Sequence, residues 1–234
     1  MNYESVAQVF RLALHKPMTI FFQRNLPHYH LPNAAYFITF RLAGSLPLKT
    51  LERLREENEA EGRSLAVKFH GRDLYEERYK AQKRHFARYD ALLDRTEHGP
   101  RWLSEPRFAE IVMSEIRALD PNFYHLHTCC LMSNHAHLLI DQQDIPDPPP
   151  RKDGKHYTAL SSAMRQLKSK SGYACAQLLG TYGAFWQHES YDHVVRNEKE
   201  FERILAYIVN NPVKAGLIVE WQRWPYTYVN PNLL

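Results

Sequence analysis

The sequence predicts an α+β fold built on an at least partly antiparallel sheet, and three observations predict it. Segments of strand and helix character interleave along the chain. The two central apolar runs, Tyr124–Met132 and His135–Asp141, are joined only by Ser133-Asn134, a link suited to a tight hairpin and too short for a parallel crossover. No Gly-rich phosphate loop is present, which argues against a doubly wound nucleotide fold. The 234 residues, 44% of them hydrophobic and 24% charged, are enough for one elaborated domain with a sizeable core and exclude wholesale disorder.

Taken in order, Met1–His30 lacks the basic start and long apolar centre of a secretory signal, and no window is apolar enough for a membrane span. Cys129, Cys130 and Cys175 are an odd set with two adjacent members, so no disulfide framework is expected and a reducing cytoplasm fits. Ala34–Gly44, AAYFITFRLAG, is rich in aromatic and β-branched residues and reads as the first strand. Leu48–Glu105 then holds 25 of the chain's 56 charged residues, in nearly equal numbers of each sign. It reads as an inserted helical arm with solvated faces, broken at Gly62 and Gly71.

Pro106 opens a helix to about Leu119, with Phe108, Ile111, Val112 and Ile116 at helical spacing. The central hairpin follows, and Ile145–Gly154 is a loop by its prolines. Tyr157–Leu179 is helical, Phe185–Arg196 is extended, and a last helix starts at the capping residue Asn197 and is stopped by Pro212. The whole chain, 1–234, reads as a single domain carrying the arm at about 48–105.

His135 and His137 lie two apart on a strand, so both imidazoles share one face and could share a divalent metal. Thirteen histidines in 234 positions supply about 0.7 such pairs by chance, and the chain has three, so spacing alone decides little. Hydrogen-bonded structural histidines are the alternative. His28 and His30 sit in a Pro-flanked entry segment and suggest surface roles. His125 and His127 near Cys129 and Cys130 could suggest zinc, but adjacent cysteines point to opposite faces of a strand. On the last helix, Phe201, Ile204, Leu205 and Ile208 form the apolar stripe, with Tyr207 and Asn211 together on its border. A hydroxyl and an amide at i and i+4 beside two histidines would set a nucleophile next to a metal; a boundary tyrosine and an ordinary helix end are the alternative.

MSNHAHLLI (Met132–Ile140), GAFWQHESYDHVVRNEKEFERILAYIVNNPVKAGLI (Gly183–Ile218) and RNLPHYHLPNAAYFITFRLAG (Arg24–Gly44) closely resemble blocks of the REP-associated tyrosine transposases, relatives of the IS200/IS605-type single-tyrosine (HUH) transposases. The resemblance runs from about Arg24 to Val229 and is weakest over the arm. Ser133 stands where the family usually has proline before the Asn-His pair. The resemblance implies a ferredoxin-like α+β sandwich, with Tyr207 as nucleophile and His135, His137 and Asn211 as metal ligands. It further implies Mg²⁺ or Mn²⁺ as cofactor, and single-stranded or hairpin DNA of REP-like palindromes as substrate, cut and rejoined through a 5′-phosphotyrosine.

Arg165, Lys168, Lys170 and Lys214 are suited to phosphate, and Trp186, Trp221 and Trp224 could stack on bases; solvated lysines and packed tryptophans are the plainer alternative. The net charge of +4 permits an anionic partner without demanding one. A non-catalytic nucleic-acid binder and a zinc protein are the rival functions. Monomer and homodimer are both open.

Overall fold

The computed structural model describes residues 20–23, 27–31, 33–95, 97–149 and 157–233, with backbone alone over 20–23 and 27–30. A short antiparallel ribbon, β1 (Ile20–Gln23) and β2 (Pro27–His30), precedes the main sheet. It was not anticipated from the sequence, and the side chains of His28 and His30 lie outside the described residues.

The main sheet is built from β3 (Ala35–Arg41), β4 (His125–Leu131), β5 (His135–Asp141), β6 (Tyr191–Val195) and β7 (Thr227–Val229), all antiparallel, in the order β6-β3-β5-β4-β7. The arm supplies α1 (Leu48–Lys68) and α2 (Gly71–Arg95), and α3 (Pro106–Ala118), α4 (Ala159–Leu179) and α5 (Glu198–Lys214) follow. Leaving out α1, α2, α5 and β7, the succession β3-α3-β4-β5-α4-β6 is the ferredoxin-like βαββαβ unit.

The sheet is apolar on both faces because both are covered. Tyr36, Ile38, Phe40 and Leu42 point to the α3/α4 side and join Phe108, Val112, Leu160 and Leu167 in one core. The alternate residues of β3, beginning with Ala35 and Phe37, face α5 and meet Phe201, Leu205 and Ile208. The amphipathic stripe on α5 is thus what seats it, and this second face carries the candidate site.

Four local expectations need correction. Gly62 does not break the arm: it lies within α1 with open space around it, and the single break falls at Phe69-His70. The arm's faces are not simply solvated, because Phe86 of α2 packs edge-on against Phe37 with ring centroids 5.1 Å apart. Within the expected extended segment Phe185–Arg196 the continuous strand is confined to Tyr191–Val195, while Trp186 makes an isolated antiparallel bridge to Leu42 and, with Phe185, plugs the first core. Pro212 does not stop α5, which runs to Lys214. In the last turn proline forfeits its own N–H, but Ala215 N–H still donates to the Asn211 carbonyl at 2.9 Å. Asn197 does cap this helix, its Oδ1 accepting from Glu200 N–H at 3.0 Å.

The arm leaves and rejoins the sheet at one place. Residues 42–45 turn out of β3 just before α1, and the return segment brings Gly99, φ +76°, against that turn. A Cβ at Gly99 would stand 2.2 Å from the Gly44 carbonyl oxygen, so glycine is required there.

Candidate metal centre and tyrosine site

Alternation along β5 puts His135 and His137 on the α5 face, each fully buried. Burial disfavours the imidazolium: His135 is pushed down to about 3, with Lys214 adding to the effect, and His137 falls well below its ordinary value through burial, His135 and Lys214. Asn134 fixes the tautomer of His135. Its amide Nδ2 donates to the Leu93 carbonyl at 3.1 Å, which turns Oδ1 toward His135 Nδ1 to accept at 2.6 Å. The free lone pair of His135 then sits on Nε2.

His137 is arranged the same way by other partners. Asn211 Nδ2 donates to His137 Nε2 at 3.2 Å, so the ring's proton belongs on Nδ1, which donates to Thr39 Oγ1 of the neighbouring strand at 2.8 Å. Two lone pairs, on His135 Nε2 and His137 Nε2, therefore face each other across 3.1 Å. That arrangement is repulsive between neutral rings and favourable around a cation, with the Nδ1 partners orienting the ligands.

The arm completes the cluster. Asp90 of α2 places Oδ1 3.4 Å from His137 Nε2 and 4.0 Å from His135 Nε2, and Asp94, one turn on, places Oδ1 3.8 Å from His135 Nε2. Neither Oδ1 has a hydrogen-bond partner, and nor does Oδ1 of buried Asn211. Burial and the neighbouring Asp94 push Asp90 up to about 8 against the pull of Lys214. Asp94 is raised by burial, opposed by its ion pair with Lys214 at 3.1 Å.

Three unpartnered oxygens beside two convergent imidazole nitrogens fit a divalent ion, and among the described residues Asp90, His135 and His137 are the one group with metal-binding geometry. Half a turn of the Asn211 amide would direct Oδ1, in place of Nδ2, at the same point. Tyr207 joins from α5: its hydroxyl donates to Asp90 Oδ2, and its ring stands edge-on to that of His137 with centroids 5.6 Å apart.

Tyr207, His135, His137, Asn211 and Lys214 are thus brought together. The other basic candidates are not. Arg165 and Lys170 are exposed on α4, across the sheet from the histidines. The amino group of Lys168 donates to the His188 carbonyl at 2.9 Å and to Ser190 Oγ at 3.0 Å, and burial with the nearby Arg41 pulls it down to about 7. Trp186 is a correction: it is 5% exposed, its indole N–H donates to Ser171 at 2.9 Å, and it lies edge-on to Phe40, so no ring face is offered to a base.

The suggested zinc set also comes apart. His127 binds the Asp141 carboxylate at 2.6 Å and His125 reaches the Gln143 carbonyl at 3.1 Å, while Cys129 and Cys130 enter opposite cores. Sequence reading missed Asp90, Asp94 and Thr39. A signal existed for Asp90, an acid at the centre of the Phe86-Asp90-Leu93 stripe where an apolar residue is expected.

No family profile matches the chain. It is 31% identical over 68 residues to a REP-associated tyrosine transposase of Escherichia coli, a match covering 29% of this chain and 38% of that one. It is 25% identical over 103 residues to a Haemophilus influenzae protein given the same name provisionally, covering 42% of this chain and 54% of that one. These matches therefore span about half or less of the relatives' lengths. A solved REP-associated tyrosine transposase bound to a REP hairpin superposes with a TM-score of 0.48 at 16% identity, over 88% of this chain and 82% of that one. By sequence, part of the chain is similar to the REP-associated tyrosine transposases.

Proposed function

We propose that the chain is a divalent-metal-dependent DNA strand transferase in which Tyr207 cuts and rejoins single-stranded or hairpin DNA. One observation carries the reading: the Tyr207 hydroxyl is bonded to Asp90, whose unpartnered Oδ1 faces two imidazole lone pairs beside the Asn211 amide, all at one buried place. The substrate class rests on the sequence likeness to named tyrosine transposases.

His135, His137, Asn211 and Asp90 would hold Mg²⁺ or Mn²⁺, and the bound ion would supply Lewis-acid polarisation of a phosphoryl oxygen. Everything else is the work of the chain. Tyr207 Oη attacks phosphorus, the P–O3′ bond breaks, and the strand is left as a 5′-phosphotyrosine with a free 3′-hydroxyl. The phosphodiester energy is stored in the new ester, so rejoining needs no nucleotide cofactor. A free phenol has a pKa near 10, and Asp90 Oδ2, already bonded to the Tyr207 hydroxyl, would take its proton when the carboxyl is ionised and pass one to the departing O3′. Phe37 and Phe86 pack edge-on to the Tyr207 ring and hold it in position.

The test is a labelled hairpin oligonucleotide incubated with the protein and Mn²⁺, then resolved under denaturing conditions. A denaturation-resistant adduct is expected. Tyr207→Phe should abolish it while DNA affinity stays within a few-fold. An adduct that persists in the Phe variant would assign the nucleophile elsewhere.

A further inference from the structure

The carboxylates of α2 meet the groups that a DNA backbone would engage. Asp90 takes the Tyr207 hydroxyl, and Asp94 Oδ2 takes Lys214 Nζ at 3.1 Å while its Oδ1 faces His135. Lys214 is half exposed, with its amino group 5.4 Å from the centre of the Tyr207 ring, so it stands where solvent meets the buried site.

We propose that the position of the Asp94 carboxylate, between Lys214 and the histidine pair, is a phosphate subsite for a DNA strand, filled here by the chain's own α2. Strand and α2 then compete for it. The inference rests on the strand-transfer reading and goes beyond it by saying how a strand enters.

Three observations support competition over simple coverage. His135, His137 and Asn211 are fully buried with α2 seated, so no phosphodiester reaches them until the end of that helix beyond Asp90 shifts. The seat places two carboxyls one turn apart, each with a buried oxygen lacking a partner, which makes it poorer than an apolar seat would be. The polar contacts at its end, Lys214 to Asp94 and Asn134 to the Leu93 carbonyl, are ones that a phosphate and its counter-charges can replace, while Asp90 keeps its bond to Tyr207. Against these, Leu93 and Phe86 anchor this half of the helix by apolar burial, and Tyr89 reaches the side chain of Arg41.

The experiment measures anisotropy of a fluorescein-labelled, mixed-sequence single strand and of a hairpin, with full-length protein in chelator, alongside hydrogen exchange of residues 86–95. Asp94→Asn should tighten binding roughly fivefold or more by removing the competing charge. Lys214→Ala should weaken binding more in the Asp94→Asn background than in the native chain, and bound oligonucleotide should speed exchange in 86–95. An affinity unchanged by Asp94→Asn overturns the proposal, and so does tighter binding with no loosening of α2, since the charge would then act only at long range. If Asp94→Asn does not fold, Asp94→Ser carries the same comparison.

Tyr207 adduct formation reads the parent proposal separately. An adduct without an Asp94 effect retains the chemistry and removes the subsite. Competition without an adduct retains the subsite and removes the chemistry. No binding of either oligonucleotide removes both.

Discussion

A carboxyl held above its ordinary range weakens the fold as it ionises. In the folded chain Asp90 titrates near 8, and its ordinary value is 3.8, so between these limits the native state holds a proton that the unfolded state has lost, and stability falls as pH rises. The histidines have the opposite sign. His135 titrates near 3 in the fold against an ordinary 6.5, and His137 is lowered as well, so stability falls as pH drops from about 6.5. From 6.5 to 8 the histidines no longer contribute, and the carboxyl of Asp90 sets the slope. Thermal melts in chelator should therefore show a loss on the order of 1 kcal/mol over that interval. Asp90→Asn should flatten this alkaline limb and leave the acid limb in place; an alkaline limb that survives the substitution would remove Asp90 as its source.

At the scale of the element, α2 is held to the sheet by a second cluster, distinct from the metal centre. Glu200 of α5 accepts from Lys83 Nζ at 2.6 Å, from Arg196 N–H at 3.0 Å and from the Tyr79 hydroxyl, and lies 3.2 Å from His193 Nε2. Burial alone would raise this carboxyl, but the bonds from His193, Lys83, Tyr79 and Arg196 together hold it well below the usual carboxylate range. The Arg196 guanidinium lies 3.3 Å over the Tyr79 ring and closes the cluster. Glu200→Gln should cost about 1–3 kcal/mol in urea unfolding and speed hydrogen exchange over 75–90. Unchanged exchange there would mean that the apolar contacts of Phe86 hold α2 without help.

The elements also show what sequence can and cannot disclose. The hairpin, the shared face of His135 and His137, and the joint placement of Tyr207 and Asn211 follow from periods of 2 and 3.6 and were legible. The contribution of α2 was not. Local pattern says that a charged segment is helical, but which turn meets which strand depends on contacts as distant as Leu93 with Asn134, 41 positions apart. Lys168 and Trp186 misled for a related reason, since both residue types serve nucleic-acid surfaces and buried junctions, and only packing separates the two.

For the whole molecule, a cation bound only in the folded state must stabilise it. Mn²⁺ at a hundredfold excess over its dissociation constant should add about 2.7 kcal/mol. The gain should vanish in chelator and in His135→Ala and His137→Ala, which remove the ligands carried by one strand. A thermal shift that persists in both variants would place the ion elsewhere. Among the described residues no helix is long and apolar enough to cross a membrane.

The abutting glycines at positions 44 and 99 give the arm a cantilever's geometry, both its roots gripped at one clamp while its free length reaches back over the sheet. Residues can be added to or trimmed from the outer end of such a beam without disturbing a single strand pairing. A side chain at position 99 would pry the roots apart, and the error would pass through the adjoining end of α2 to Asp90 as a misplaced ligand.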